Sequence, residues 1–239
     1  MSESWLEERL EIFEEFTMPS VNSQTDQDFQ WLVLCDSGSP QWFRSRLARN
    51  SIVQAIYLDR WDLDEVRRAV QTRRRHSKVV TTRLDNDDAI ASDFVERVKQ
   101  AATQVGFINF PHGLIWNEGR LYRWVDQSNA FISRVEEGKL IDTVYADKHA
   151  SVAALGVVNQ VTAGFKWLQV VHGGNLGNYR RGILVHSSAL QGFKVHAEPE
   201  SLRWAQFRLA QGRSLLRTFI HACRRPRTAL RAIAMKFSL

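Results

Sequence analysis

Cysteine is nearly absent from this sequence, and long hydrophobic runs are missing. The 239 residues include only two cysteines, Cys35 and Cys223. Two cysteines cannot build a disulfide framework or a cysteine-rich metal site, so we expect a reducing environment. No apolar run reaches the roughly 18 residues that span a bilayer. The acidic start "MSESWLEERLEIFEEF" differs from a signal peptide. These absences favour a globular protein of the cytoplasm, with the inner face of the cell membrane as a second candidate location.

Acidic residues are missing from the C-terminal part of the chain. From Arg203 to the end there are nine Arg or Lys and no Asp or Glu, whereas the rest holds 23 basic and 26 acidic residues. The formal net charge of +6 therefore belongs to this tail. Its basic residues are interleaved with Leu, Phe, Ile and Ala at helical spacing, and Pro226 interrupts the pattern. The pattern predicts either a pair of basic amphipathic helices on anionic lipid or a helix packed on the domain with its arginines in solvent.

Helical and short apolar β-rich segments alternate over the first hundred residues. The spacing predicts helices over 4–17, 39–48, 62–70 and 92–104, with strands over 29–35, 52–58 and 78–84. Ser4 and Glu7 have capping-box spacing, and Pro19 is expected to close the first helix. After residue 104 we expect a hairpin at 117–119, a strand over 163–171 and helices from Glu198 onward. This order predicts an α/β protein with a mixed, mostly parallel sheet flanked by helices.

The segment "TTRLDNDDAI" places three carboxylates after a predicted buried strand: Asp85, Asp87 and Asp88. Ligands of open parallel sheets bind outside the carboxyl ends of the strands. Carboxylates about 4 Å apart repel each other by about 4 kcal/mol per pair at an effective dielectric constant of about 20. A bound Mg²⁺ or Mn²⁺ relieves that repulsion and adds phosphate oxygens as ligands. The alternative is a solvated loop in which Asp87 or Asp88 caps the following helix.

Three segments carry a resemblance to known proteins. "PSVNSQTDQDFQWLVLCDSGS" (19–39) resembles the opening of family-2-type glycosyltransferases of the GT-A fold, and "RLDNDD" stands where these enzymes keep an Asp-x-Asp motif. Together with "WLEERLEIFEEF" and "WLQVVHGGNLGN", these segments resemble the bacterial family of putative rhamnosyltransferases over roughly residues 5–180. The resemblance implies a GT-A domain over 1–195, followed by the basic helical tail over 196–239. The family begins with a strand that this sequence does not show, so we expect that first strand to be missing.

The resemblance also implies a site for a nucleotide-diphosphate sugar and a divalent cation, Mn²⁺ or Mg²⁺. The implied metal ligands are Asp85, Asp87 and His172, with Asp88 as a helper. The residues implied to bind the nucleotide sugar are Asp36, Arg83, Asp85 and Asn86. Gly173 and Gly174 would let the backbone approach a phosphate.

A general base is harder to place from the sequence. Inverting transfer needs a carboxylate that deprotonates the acceptor hydroxyl. Asp147, with His149 beside it, is our candidate; the other carboxylates considered are Asp126, Glu136, Glu137 and Asp142. Each of them is also a credible surface or capping residue. Trp116, Trp124 and Trp167 are interpreted either as sugar-stacking side chains or as core aromatics.

The expected function is therefore transfer of a hexose, with rhamnose as the candidate, from a nucleotide-diphosphate sugar to a glycan or lipid-linked acceptor, with inversion. The tail adds an anionic membrane surface as a candidate partner. Two other classes stay open: a metal-dependent phosphatase or nuclease, and a non-catalytic protein that binds through its basic tail. The acidic body and the lack of an aromatic–basic surface motif argue against nucleic acid as a partner.

Overall fold

The computed structural model describes residues 2–146, 149–173 and 180–224. The helices are α1 (Glu3–Ile12), α2 (Met18–Asn22), α3 (Gln41–Leu47), α4 (Leu63–Arg73), α5 (Phe94–Ala101) and α6 (Trp204–Arg224). The strands are β1 (Trp31–Asp36), β2 (Val53–Leu58), β3 (Lys78–Thr82), β4 (Ala89–Ile90), β5 (Gly106–Asn109), β6 (His112–Asn117), β7 (Arg120–Val125), β8 (Ser133–Glu137), β9 (Val158–Gln160), β10 (Trp167–Val171) and β11 (Ile183–Val185).

The strands form three sheets. β1 and β2 pair in parallel, five strands follow the order β11-β7-β6-β10-β4, and four follow the order β3-β8-β5-β9. In the described part of the chain, three strand pairs are parallel and five are antiparallel. The predicted α/β class, with mixed sheets flanked by helices, is confirmed and is consistent with a GT-A-like fold. Parallel pairs are fewer than the alternation predicted, because β3 pairs antiparallel with β8 instead of with β1 or β2, and β7, β8 and β11 also pair antiparallel with their neighbours.

The N-terminal helical segment differs from its prediction at both ends. The cap is Ser2, whose Oγ accepts from the N–H of Trp5, and not Ser4. Pro19 does not close the segment, which passes through a π-helical turn (Phe13–Thr17) and continues as α2. A proline inside a helix leaves the carbonyl four residues earlier without its donor. Here that carbonyl belongs to Glu15, and it accepts from the N–H of His196 at 2.9 Å. A residue distant in sequence therefore supplies the hydrogen bond that proline removes.

The two faces of the five-stranded sheet pack against different layers. One face buries Leu114, Trp116 and Leu168 against Phe16 of the π-helical turn. The other face buries Ile115 and Trp167 among side chains that include Phe94 and Phe131. Trp116 and Trp167 are 8% and 1% exposed, so they are core aromatics and not sugar-stacking residues.

Helix α6 is attached to the edge strand β11 through side chains. The N–H of Leu184 donates to Ser214 Oγ at 2.9 Å, and Gln211 Nε2 donates to the Leu184 carbonyl at 3.1 Å. Thr218 Oγ1 donates to the Gly182 carbonyl at 3.1 Å. The edge of the sheet is thus covered by polar side chains of α6. Among the described helices, none is long and apolar enough to cross a membrane. The predicted second tail helix after Pro226 lies outside the described residues.

Candidate functional site

The carboxylate segment links two different sheets. β3 belongs to the four-stranded sheet and β4 to the five-stranded sheet, and residues 83–88 connect them. The N–H of Arg83 donates to the Ile132 carbonyl at 3.2 Å, and the N–H of Asp88 donates to the Asp85 carbonyl at 3.3 Å. β4 then pairs antiparallel with β10. The segment is therefore fixed at both ends, and it lies beside the strand that leads to His172.

Asp87, His172 and Arg9 meet at the carboxyl end of β10. Asp87 Oδ2 lies 3.0 Å from His172 Nε2. Arg9 Nη1 lies 2.8 Å from the same His172 nitrogen, and Arg9 Nη2 donates to Asp87 Oδ2 at 3.2 Å. All three side chains are largely buried, at 7% exposure for Asp87, 18% for His172 and 16% for Arg9. A partly buried anion, an imidazole and a cation therefore converge on one point.

Asp87 Oδ2 and His172 Nε2 have the separation of two metal ligands, although the Arg9 guanidinium contacts both atoms in this structure. Two ligands in adjacent positions of an octahedral Mg²⁺ or Mn²⁺ ion, each about 2.1 Å from the metal, lie about 3 Å from each other. The third implied ligand is turned elsewhere, because the Asp85 carboxylate pairs with Arg83 at 3.1 Å and 3.3 Å. In the described ranges no group of three or more His, Cys, Asp or Glu side chains is arranged to hold a metal. The remaining positions of such an ion would belong to phosphate oxygens and water.

Asp88 is a structural residue at the centre of this segment. It is fully buried, and its Oδ1 accepts from the N–H of Val170 at 2.9 Å. Burial, together with the neighbouring charge of Asp87, raises the pKa of the Asp88 carboxyl well above its usual range. Its Oδ2 has no hydrogen-bond partner among the described residues, which suits an uncharged acid better than a buried anion. Asp88 thus ties the end of the carboxylate segment to β10, in a position where burial favours its uncharged form.

Asn86 and Asp85 face two different arginines. Asn86 Oδ1 accepts from Arg9 Nη2 at 2.8 Å, so it joins the group around Asp87. Asp85 instead pairs with Arg83, whose guanidinium lies 5.9 Å from the centre of the Tyr145 ring. Burial lowers the pKa of Arg83, but the charge of Asp85 and its hydrogen bond raise it more, so the net direction is upward. Two aspartates only two positions apart therefore have separate cationic partners.

Trp61 and Tyr145 extend the site on the Arg83 side. Their rings meet edge to face at 5.2 Å between centroids, and Trp61 is 59% exposed. Burial raises the pKa of the Tyr145 hydroxyl. The exposed indole of Trp61, linked to Arg83 through Tyr145, is a surface on which a planar ring could stack.

Asp36 stands at the end of β1, away from the hydrogen bonds just described. Its side chain is exposed, and its Oδ1 accepts from the N–H of Gly38 at 2.7 Å. The next residue, Ser37, donates from its hydroxyl to Asp59, which follows β2. The parallel strands β1 and β2 end together, with Asp36 opposite Leu58. This edge presents carboxylates and hydroxyls on a strand pair that is separate from the two sheets joined by the carboxylate segment.

The candidates for a general base separate into two groups. Asp147 and the side chain of His149 lie outside the described residues. Glu136 is buried and accepts from the N–H groups of Asp142 and Thr143 at 2.8 Å and 2.9 Å. Asp142 pairs with Arg67 at 3.0 Å and with Arg134 at 3.3 Å. Glu136 and Asp142 therefore have structural roles. The assignment of Asp147 as the general base stays a prediction.

Arg9 is the site residue that the sequence did not reveal. It lies on the acidic helix α1 and meets Asn86, Asp87 and His172 only in the folded chain. The one signal in the sequence was its position as the only basic residue between Met1 and Asp36. Gly173 has no neighbouring atom within 4 Å of the place that a Cβ would occupy, which leaves its backbone accessible, and Gly174 lies outside the described residues.

Comparison with known families gives one match. The model of the family described as "Putative rhamnosyl transferase" matches residues 1–182, about three quarters of the chain. A comparison with curated proteins found no match. The matched range includes α1 with Arg9, the carboxylate segment and β10 with His172.

Proposed function

The chain belongs to the "Putative rhamnosyl transferase" family, and from this premise we propose that it transfers a hexose from a nucleotide-diphosphate sugar to a glycan or lipid-linked acceptor. Rhamnose is the sugar that the family description names. We propose that the transfer inverts the anomeric centre and uses Mn²⁺ or Mg²⁺.

The observation that carries this proposal is the meeting of Arg9, Asp87 and His172 at the end of β10. When a nucleoside diphosphate leaves a sugar, negative charge develops on its phosphate oxygens. A bound divalent cation would supply a Lewis acid for those oxygens. Asp87 and His172 would hold that ion. Because Arg9 contacts the same two side-chain atoms, its guanidinium would turn from them toward the phosphate oxygens when the ion binds.

The remaining residues have roles in holding the donor. Asp85, fixed by Arg83, would accept hydrogen bonds from the ribose, and Asn86 would keep the Arg9 guanidinium aligned. Asp36, at the end of β1, would bind the base or ribose. Asp147 is proposed as the base that takes the proton of the acceptor hydroxyl.

The outer face of α6 supports an acceptor at a membrane surface. Six large apolar side chains of this helix are exposed, from Ile220 at 43% to Trp204 at 76%: Trp204, Leu209, Leu215, Leu216, Phe219 and Ile220. At 3.6 residues per turn they fall within one half of the helix circumference, opposite the side chains that bind β11. Apolar side chains among arginines are the composition of helices that lie on anionic lipid.

The proposal is tested by thermal unfolding with nucleoside diphosphates, with and without Mn²⁺. We expect one nucleotide to raise the unfolding temperature only when Mn²⁺ is present, and Asp87→Asn to abolish that increase. Asp64→Asn is the matched control, because Asp64 is an exposed carboxylate of α4 whose side chain is 77% accessible. Equal stabilisation in Asp87→Asn and the parent chain would contradict the proposed site. The reaction class would be established if the parent chain released nucleoside diphosphate from the sugar donor and Asp87→Asn did not.

A further inference from the structure

A second charged region lies between α6 and the five-stranded sheet, apart from the contacts around Asp87. It is a cavity of about 300 Å³. Five arginines line it: Arg120, Arg180, Arg181, Arg213 and Arg217. Tyr122 and Trp124 of β7 contribute aromatic surface to the same cavity. Pockets of this volume are large enough for small ligands.

Most of this positive charge is not balanced by nearby carboxylates. Arg120 pairs with Glu200, and Arg181 lies 3.8 Å from Asp126 Oδ2. Within the described ranges, no carboxylate forms an ion pair with Arg180, Arg213 or Arg217. Among the residues outside the described ranges, Asp147 is the one Asp or Glu side chain in the sequence. Three cations around one cavity repel each other, and a bound anion would remove that repulsion.

The aromatic side chains orient two of the arginines. The Arg180 guanidinium lies 5.7 Å from the centre of the Tyr122 ring, and that of Arg181 lies 5.2 Å from the centre of the Trp124 ring. Contact through the face of a guanidinium leaves its N–H groups available at the edge. The ring of Trp124 thus holds Arg181 at the wall of the cavity. Planar arginine forks match the oxygens of phosphates and hold them by paired hydrogen bonds.

The cavity reaches toward the edge of the sheet where Asp87 and His172 meet. Arg120 is opposite Asn117 of β6, and Asn117 is opposite Val171 of β10, the residue before His172. Two strand spacings make this separation about 10 Å across the sheet. Arg181 Nη2 also donates to Gln169 Oε1 of β10 at 3.3 Å. The cavity therefore lies at the same end of the sheet as His172, but on the face of Tyr122 and Trp124, opposite the face covered by the helical segment that carries Arg9. A sugar chain attached to an anion in the cavity would pass around this end of the sheet to reach the candidate active site.

We propose that this arginine-lined cavity binds the diphosphate of a lipid-linked acceptor, whose apolar chain lies along the exposed face of α6. The same helix supplies Arg213 and Arg217 to the cavity and exposes Phe219 and Leu216, at 66% and 61%, on its outer side. A ligand with a diphosphate and an apolar chain matches both surfaces. The identification of this ligand as the acceptor rests on the proposed function, whereas the anion site itself does not.

The first test measures binding of inorganic pyrophosphate to the full chain in EDTA, which silences a metal-dependent donor site. We expect Arg213→Gln/Arg217→Gln to weaken binding at least tenfold. The matched control Arg203→Gln/Arg208→Gln removes two charges from the same end of the chain without touching the cavity, and it should change binding less than twofold. Equal losses in the two double variants, or no loss in either, would overturn the site. Arg180→Gln, which lies outside α6, should reproduce the loss if the α6 variant unfolds.

The second test identifies the source of the diphosphate. A short prenyl diphosphate, kept below its micellar concentration, should bind at least tenfold more tightly than inorganic pyrophosphate, and Phe219→Ser should remove that gain. Equal affinities would overturn the lipid-linked assignment. Asp87→Asn should leave pyrophosphate binding in EDTA unchanged while it abolishes turnover. Loss of pyrophosphate binding in Asp87→Asn would instead show that the donor site is the binder and refute the cavity assignment, without bearing on the proposed transfer.

Discussion

The negative charges of the carboxylate segment are balanced by neighbouring groups, whereas most positive charges of the arginine-lined cavity are not. In the segment each aspartate is balanced: Asp85 by Arg83, Asp87 by Arg9, and Asp88 by burial that favours its uncharged form. In the cavity, only Arg120 and Arg181 of the five arginines have a carboxylate within ion-pair distance among the described residues. A balanced cluster is stable without a ligand and can be tuned for chemistry. An unbalanced cluster is more stable once an anion binds. This difference matches the two proposals made above, a reaction at the segment and anion binding in the cavity.

The largest expected effect comes from removing the cation of the balanced cluster. Arg9→Met should lower turnover of the sugar donor by about 10²–10³-fold, because a positive group beside the leaving phosphates would be lost. Steady-state release of nucleoside diphosphate measures this. Arg46→Met is the control, since Arg46 pairs with Glu14 on the same helical segment but at a half-exposed position. A similar loss in both variants would show that Arg9 acts through the fold alone.

The buried carboxyl of the segment should matter for stability. Asp88→Ala removes the acceptor of the Val170 N–H and leaves that buried group unpaired, at a cost of about 2 kcal/mol in the free energy of unfolding. Asp88→Asn keeps an acceptor of the same shape and should cost less than about 1 kcal/mol. Denaturant unfolding of both variants measures the difference. If Asn were as costly as Ala, the negative charge of Asp88 would be required, and its assignment as an uncharged acid would be wrong.

A third balanced pair gives a prediction that depends on pH. Lys166 Nζ lies 2.7 Å from both oxygens of Asp93, and the lysine side chain is 9% exposed. Burial raises the pKa of the Asp93 carboxyl, but its hydrogen bonds to Lys166 and Arg97 lower it more, so the net direction is downward. The stability that Asp93 contributes is therefore present above its unfolded pKa of 3.8 and is lost as the pH falls through its lower folded value.

Asp93→Asn should accordingly lower the free energy of unfolding by about 1–2 kcal/mol at pH 7, a value reduced by the partial exposure of the carboxylate. The difference from the parent chain should shrink as the pH falls below about 4. Unfolding curves at several pH values measure it. A constant difference across that range would show that the ion pair is not the cause.

The smallest effect belongs to the unbalanced cavity. Trp124→Leu removes the ring that lies against the Arg181 guanidinium, so pyrophosphate binding should weaken about two- to fivefold, the usual contribution of one cation–π contact. Calorimetric titration in EDTA measures this change. Unchanged affinity would show that the indole does not position Arg181 for the anion.

Local features of the fold were accessible from the sequence, because they depend on residues a few positions apart. Asp62 caps α4, where its Oδ1 accepts from the N–H groups of Asp64 and Glu65. The hairpin between β6 and β7 turns at residues 117–120, as the Asn and Gly of that segment predicted. The short strand β4 and the strand β8 were missed. β4 has only two residues, and β8 carries charged side chains that hide its buried face.

The site was accessible only in part. The carboxylate segment was identified from its place after a predicted strand and His172 through the family resemblance, and the structure brings Asp87 and His172 within 3.0 Å. Arg9 and the arginine-lined cavity were not identified, since no local pattern marks them. Arg83 pairs with Asp85, and Arg9 pairs with Asp87. The number of carboxylates in the sequence does not show this pairing.

The sequence by itself determined where helices and strands form, that the acidic segment follows a strand, and that the C-terminal part is basic. These properties follow from periodicity, capping and composition, which act over one or two helical turns. Only the tertiary structure decided which cation meets which carboxylate and where the arginines of β7, of the segment before β11 and of α6 converge. Those contacts join residues up to 163 positions apart. They depend on the register of β10 between β4 and β6 and on the packing of α6 against β11, and neither is encoded in any short stretch of the chain.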